Sequence, residues 1–404
     1  MSSRILIGLS VGSGLEGADA AVVRTSGLGL GLTPRVDRTT RVLFPPSVLD
    51  QFRLASGTAT TNGSAEHDLT RAVAEAAAHA TRTILLQAGV SARDVFAVGL
   101  LDPAHPASGL PIEWPEVAAR VAEQTGFTAL HGFRGRDRAA GGGGHPITAA
   151  ADFLLFRHED EDRVIAHLGG VTSLFQVPAG AKVADVRGFE VGPGGQLLNA
   201  LLFHGTRGRE HTDAGGKKAV QGRCLEPLLA RWLGHPYLTR KPPKAVHAAA
   251  FGRAFLLAAF DAARECGAGL PDLLCTATHL VARSVSIACR NWLPPATGPR
   301  RVLLTGGGVR NGFLWQLLGQ QFDGVPVTRA DEIGVPPLAR NAAAAAVLAA
   351  LTCDGVAGNL ASLTGAAGGR LIGNIVPGDT RNWARCATWI AEQAGDYPRV
   401  NRAA

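Results

Sequence analysis

The chain lacks paired cysteine spacing, clustered charge and any long apolar run. Its six cysteines, Cys224, Cys266, Cys275, Cys289, Cys353 and Cys386, include no CxxC. That argues against a disulfide framework and reads as free thiols in a reducing compartment, the cytoplasm. His105, His131, His145, His158, His167 and His247 show neither i,i+4 pairing nor HExxH spacing, so no metal site is expected from them. Neither a GxSxG elbow nor a Cys–His pattern argues for a hydrolase. Forty Lys and Arg against 33 Asp and Glu give a formal charge of +7. The densest basic segments, Arg134–Arg138 and Arg240–Lys244, are short and carry no interleaved aromatics, so they read as surface charge or a few anion contacts; no nucleic-acid partner is expected, and nucleic-acid binding ranks last among the readings. Gly8 and Gly12 interrupt the first apolar stretch too soon for a secretory signal, and Ala342–Leu351 falls short of the ~20 residues that cross a bilayer. No membrane partner is expected, and the alanine run is read as a buried helix.

What is present suits a large folded core. Length gives a prior of two to three domains, and 46% hydrophobic against 18% charged residues excludes a disordered chain. The 51 glycines, without a collagen-like period, point to turns and close backbone approaches. Strands are expected at Ile5–Ser10 and Ala18–Val23 around a glycine turn, and at Val164–Leu168 and Val171–Phe175 around Gly169-Gly170. A helix is expected over Ser64–Gln87, where Leu69, Val73, Ala77, Ala80 and Ile84 recur at helical spacing. Val95–Leu101 and Thr128–Phe133 read as strands and Pro115–Gln124 as a helix, while Pro146 should open a helix reaching Phe156. Gly188–Gly195 reads as a loop before a helix at Gln196, and helices should dominate Leu225–Trp292. Arg301–Thr305, Gly306-Gly307-Gly308 and Asn311–Phe322 read as strand, tight turn and helix.

Glycine turns expose backbone N–H groups that can cradle phosphate oxygens. One such turn is weak evidence and each has a plain reading as an ordinary tight turn. Two hairpin turns and a later strand–GGG–helix element, in this order, resemble the actin, hexokinase and sugar-kinase architecture.

The resemblance narrows further. Gly8-Leu9-Ser10-Val11-Gly12-Ser13-Gly14-Leu15-Glu16-Gly17-Ala18-Asp19 resembles the opening phosphate loop of the anhydro-N-acetylmuramic acid kinases, and Phe133-Arg134-Gly135-Arg136-Asp137-Arg138-Ala139-Ala140-Gly141-Gly142 resembles their catalytic segment. Leu168–Val171, Gly188–Gly194, Lys241–Lys244, Gly306–Asn311 and Leu363–Ala366 each resemble a further family segment in the same order. The resemblance implies a two-lobed α/β fold of the actin-like ATPase (sugar kinase) type with an ATP cleft between the lobes. The first lobe is expected over 1–150 and the second over 151–404, with the terminal segment packing back on the first. The implied reaction joins two events: water opens the bridge of a 1,6-anhydro amino sugar, and the released oxygen takes the γ-phosphoryl of ATP.

By the same resemblance, Asp137 is the base and Arg134 neighbours the sugar or the transferring phosphoryl. Gly12, Ser13, Gly14, Gly169, Gly170, Gly306, Gly307, Gly308 and Asn311 are placed at ATP. Asp19 is placed at ATP and at Mg²⁺, and Glu190, Gly192 and Gly194 at the sugar. Local charge alone reads Asp137 as a surface salt bridge with Arg134 or Arg136, Asp19 as a strand-end carboxylate, and Glu190 as an exposed loop carboxylate. A homodimer is implied. The chain departs from the family at Gly132, where an aspartate is usual, at Leu100-Leu101-Asp102-Pro103-Ala104, where a Ser-His-Gly-Gln-Thr run is usual, and at Glu190, in place of an aspartate. An inactive sugar- or nucleotide-binding protein derived from a kinase stands as the alternative reading.

Overall fold

A computed structural model of the chain describes residues 3–12, 16–49, 63–103, 112–247, 250–293 and 299–395. The chain divides into two compact units, one ending at Leu155 and resuming at Ala339, the other spanning Phe156–Leu338.

The first unit contains β1 (Ser3–Val11), β2 (Gly17–Ser26), β3 (Thr33–Leu43), α1 (Gly63–Ala88), β4 (Val95–Leu101), α2 (Trp114–Thr125), β5 (Ala129–His131), α3 (Phe133–Ala139) and α4 (Ala149–Phe156), whose last residue crosses into the second unit. The second contains β6 (Arg163–Leu168), β7 (Val171–Val177), β8 (Arg187–Pro193), α5 (Gly195–Gly205), α6 (Glu226–Leu233), α7 (Arg253–Glu265), α8 (Leu270–Trp292), β9 (Arg301–Thr305), α9 (Gly312–Gln321) and β10 (Val327–Arg329). The chain then returns to the first unit with α10 (Arg340–Cys353), β11 (Asn374–Val376) and α11 (Thr380–Gly395).

The first sheet has the order β11-β5-β4-β1-β2-β3 and the second β10-β9-β6-β7-β8. In the first, β1, β2 and β3 form an antiparallel meander while β4 and β5 run parallel to β1. In the second, β6, β7 and β8 repeat the meander while β9 and β10 run parallel to β6. One strand plan therefore occurs twice, and both expected hairpins are present. Each unit is an α/β layer structure on a mixed sheet, the architecture that the two glycine hairpins and the later GGG turn imply.

Local sequence explains the layers. β1 is buried at every residue after Ser3, as a strand covered on both faces must be. On one face Leu69, Val73, Ala77, Ala80 and Ile84 of α1 join a core with Ile5, Ile7 and Leu9. On the other, the alanine run of α10 lies directly on backbone: a Cβ at Gly8 would strike the Ala342 carbonyl, and one at Gly99 the Ala345 carbonyl. Glycine in the strand and alanine in the helix thus permit a backbone-to-backbone approach that larger side chains forbid. Arg340, at the start of α10, reaches back to α4, where its Nε donates to Asp152 Oδ1 at 2.7 Å and its guanidinium also meets Asp152 Oδ2 and Thr148 Oγ1.

Three sequence expectations change. Gly188–Pro193 is strand β8 rather than loop. Phe189 and Val191 are buried in the core while the flanking Gly188 and Gly192 let the strand pass close to its neighbours, and Pro193 is tolerated because β8 lies at the sheet edge. Pro146 does not open α4, which begins at Ala149 after a turn. The strand expected over Thr128–Phe133 ends at His131, because Gly132 adopts φ +65° and starts α3. That left-handed backbone suits glycine where the family pattern has an aspartate.

Candidate active site

In the first unit, β1, β4 and β5 are parallel, so their carboxyl ends, carrying Gly12, Asp102 and His131, lie along one edge of the sheet. Ligands of α/β proteins bind at such edges because the loops that follow the strands converge there. α3 begins immediately after β5 and places Arg134 and Asp137 one helical turn apart. Ser13 and Gly14 lie outside the described residues. Among the described residues no atom lies within 4 Å of a Cβ built on Gly12.

Asp137 is completely buried. Asn359 Nδ2 and Thr364 Oγ1 each donate to its Oδ1 at 2.6 Å, and the Gly144 amide donates to Oδ2 at 2.8 Å. A carboxylate offers about four acceptor positions, so these three donors fix its orientation and leave capacity on Oδ2. The glycine loop 141–144 makes this possible: a side chain at Gly142 would collide with Oδ2 itself. The reading of Asp137 as a surface salt bridge with Arg134 or Arg136 is overturned by this burial and these partners. Arg134 instead pairs with Asp102, its Nη1 lying 2.7 Å from Asp102 Oδ1 and donating to the Asp102 carbonyl at 2.8 Å.

Asp19 stands opposite Ser10 on β1 and opposite Arg41 on β3. Arg41 Nε donates to Asp19 Oδ1 at 2.6 Å and Nη2 to Oδ2 at 2.8 Å, a two-pronged pair that holds the Arg41 guanidinium above its ordinary pKa. Both carboxylate oxygens face a cation, so Asp19 as it stands does not fit an open Mg²⁺ ligand. Among the described residues no group of three or more His, Cys, Asp or Glu could hold a metal ion.

In the second unit the glycine segments meet. Gly194 N and Gln196 N donate to the Gly170 carbonyl at 3.0 and 3.1 Å, and Gly195 N to the Gly169 carbonyl at 2.8 Å, tying the β6–β7 turn to the start of α5. A Cβ on Gly194 would lie 2.8 Å from Thr172 Oγ1 and one on Gly306 2.6 Å from the Leu168 carbonyl. Gly306, at φ +86°, and Gly308 thus turn against the end of β6, whereas a Cβ on Gly307 would meet nothing within 4 Å among the described residues. Asn311 caps α9, its Oδ1 accepting from Leu314 N at 3.0 Å, as its place after the triple glycine leads one to expect.

Glu190 is not an exposed loop carboxylate: it is buried in β8 and its Oε2 accepts from Val246 N at 2.6 Å. The segment that follows Tyr237 lies along this strand, since Tyr237 Oη donates to the Glu190 carbonyl at 2.8 Å and Glu190 N to the Lys244 carbonyl. Lys244 is buried with its ammonium on the Tyr237 and Leu238 carbonyls at 3.2 Å, and desolvation, with Arg240 nearby, lowers its pKa to about 8. Gly192 packs on Leu238.

Sequence reasoning missed the support around Asp137. Thr364 lies in a quoted segment, but nothing in its spacing shows that it reaches a carboxylate 227 positions earlier. Asn359 carried no signal at all.

Comparison with known proteins gives the family of the chain. The family model "Anhydro-N-acetylmuramic acid kinase" matches residues 4–378. An anhydro-N-acetylmuramic acid kinase of Gloeobacter violaceus is 34% identical over 391 residues, covering 93% of this chain and 100% of that protein. One from Cupriavidus metallidurans is 31% identical over 383 residues, covering 93% and 98%. Among solved structures, an activator of 2-hydroxyisocaproyl-CoA dehydratase from Clostridium difficile with bound ADPNP is similar at TM-score 0.43 and 12% identity, over 86% of this chain and 94% of that one. The duplicated sheet and the match along the chain define an ATP-using sugar kinase. The chain belongs to the anhydro-N-acetylmuramic acid kinase family. No helix among its described residues is long and apolar enough to cross a membrane.

Proposed function

We propose that the chain uses ATP to open and phosphorylate 1,6-anhydro-N-acetylmuramic acid or a close anhydro amino sugar, in recycling of cell-wall sugar. The observation that carries the reading is the fixed, buried Asp137 carboxylate beside Arg134. Asp137 takes a proton from water as the water oxygen bonds to the anomeric carbon. The bond from that carbon to the bridging oxygen breaks, and the freed oxygen attacks the γ-phosphorus of ATP, releasing ADP. Arg134 supports the developing charge.

In this reading the turn at Gly12, Ser13 and Gly14 and the turn at Gly169 and Gly170 contact the phosphates. Gly306, Gly307, Gly308 and Asn311 serve the nucleoside side, and Glu190, Gly192 and Gly194 the sugar. Mg²⁺ belongs to it as the counter-ion of the triphosphate, not as a ligand of Asp19, whose carboxylate is already paired with Arg41. The free cysteines support a cytoplasmic setting, and a homodimer is part of the proposal, to be checked by sedimentation.

The test is ADP release measured together with formation of the sugar 6-phosphate, using 1,6-anhydro-N-acetylmuramic acid and ATP. Stoichiometric appearance of both is expected. ADP release without a phosphorylated sugar overturns the reading.

A further inference from the structure

Buried polar atoms without hydrogen-bond partners are uncommon in folded proteins, and several in one place ask for an explanation. His131 Nδ1 and Arg134 Nε are two such atoms, and Asp102 Oδ1, whose one polar neighbour is the paired Arg134 Nη1 at 2.7 Å, belongs to the same neighbourhood. β4 and β5 run parallel with Gly99 opposite Leu130, so Asp102 and His131 follow at adjoining strand ends. Arg134 is ion-paired to Asp102. His131 and Arg134 are each 5% exposed. The same edge holds Gly12, and Asp137 is one turn further along α3.

The charge of the cluster selects its ligand. The Asp102 carboxylate and Arg134 guanidinium cancel one another, and burial, opposed by Asp102, lowers the pKa of His131 and so favours the neutral imidazole. An anion placed here meets the Asp102 carboxylate and a cation meets Arg134. A neutral group that both donates and accepts, a hydroxyl or an amide, answers His131 Nδ1 and Arg134 Nε together and can use the acceptor capacity left on the paired Asp102 carboxylate.

We propose that Asp102, His131 and Arg134 form a polar subsite that hydrogen-bonds a neutral hydroxyl or amide group of the substrate, with Asp102 and His131 setting specificity. The proposal rests on the sugar-kinase reading and deepens it. It also gives Asp102 a role within Leu100–Ala104, where the chain departs from the family's Ser-His-Gly-Gln-Thr run.

The experiment uses the full chain and three proteins: parent, His131→Phe and Asp102→Asn. Sugar affinity is measured by calorimetry, and KM for sugar and for ATP by steady-state kinetics. Two probes are used, 1,6-anhydro-N-acetylmuramic acid and its counterpart without the lactyl carboxylate. Both variants should weaken binding and raise the sugar KM by about tenfold or more for both probes, with the ATP KM essentially unchanged. The melting temperature of His131→Phe should not fall, because the variant removes a buried nitrogen that has no protein partner. Sugar affinity unchanged in both variants overturns the subsite, and so does a loss confined to the carboxylate-bearing probe. A fall in stability with unaltered sugar binding assigns the cluster a structural role and equally overturns it. A parent that binds these sugars without phosphorylating them overturns the proposed function while the calorimetry still decides the subsite. A parent that neither binds nor phosphorylates them overturns both.

Discussion

Thr364 donates its hydroxyl to Asp137 Oδ1 at 2.6 Å, closing a contact between residues 227 positions apart in the chain. It makes the carboxylate part of a fixed frame rather than a free side chain, and it changes what a substitution there should do.

Asp137→Asn should lower turnover by ~10²- to 10⁴-fold, the usual loss when a general base is removed. It should also cost about 1–3 kcal/mol, since the new amide nitrogen must face one of the present donors. Thr364→Val removes one donor and keeps the carboxylate, so it should cost similar stability and far less activity. Turnover and melting temperature measured on both variants separate the roles. Equal losses of activity in the two would remove Asp137 as base.

Gly12→Val probes the first phosphate turn. Among the described residues nothing lies within 4 Å of the added Cβ, so the fold should tolerate it. A branched side chain should nevertheless keep phosphate from the backbone and weaken ATP binding by about tenfold or more. A nucleotide titration matching the parent would rule out this turn as a phosphate contact.

Arg340→Met strands the buried Asp152 carboxyl, which burial pushes upward in pKa against the pull of Arg340. Breaking one side of such a pair should cost about 3–5 kcal/mol. Replacing both partners with apolar residues should recover much of that loss, and denaturant unfolding of the single and double variants tests it.

Lys244 gives a pH signature. Its pKa is about 8 in the folded chain against an ordinary 10.5. Between these values the unfolded chain holds a proton that the folded chain has released, so this group makes stability rise with pH across that window. Below about pH 8 both states are protonated and the penalty is constant. Lys244→Met should flatten the rise, as read from melting temperatures between pH 7 and 10.5. A parallel pair of curves would show that Lys244 does not titrate there.

The sequence carried most of the frame because its signals are local. The spacing of Leu69, Val73, Ala77, Ala80 and Ile84 marks α1, and the Gly169-Gly170 pair marks the β6–β7 turn. β8 was obscured because its glycines and Pro193 mimic loop composition, while edge pairing is a tertiary fact. Asp137 was legible through its segment, but its surroundings were not. Asn359, Thr364 and the glycine loop converge on it only after folding, and local charge pointed to Arg134 or Arg136. The union of Asp102, Arg134 and His131 likewise depends on which strands lie side by side.

The carbonyls of Gly169 and Gly170 already receive the amides of residues 194–196. A glycine turn is ordinarily the most mobile stretch of a hairpin, and its ordering is then charged to whatever it binds. Here the peptide planes are set when β8 and α5 form, so that entropy is lost on folding and not on ligand capture. The turn is preorganised, and in its proposed role as a phosphate contact it would be free of the loop-ordering penalty a flexible glycine loop carries.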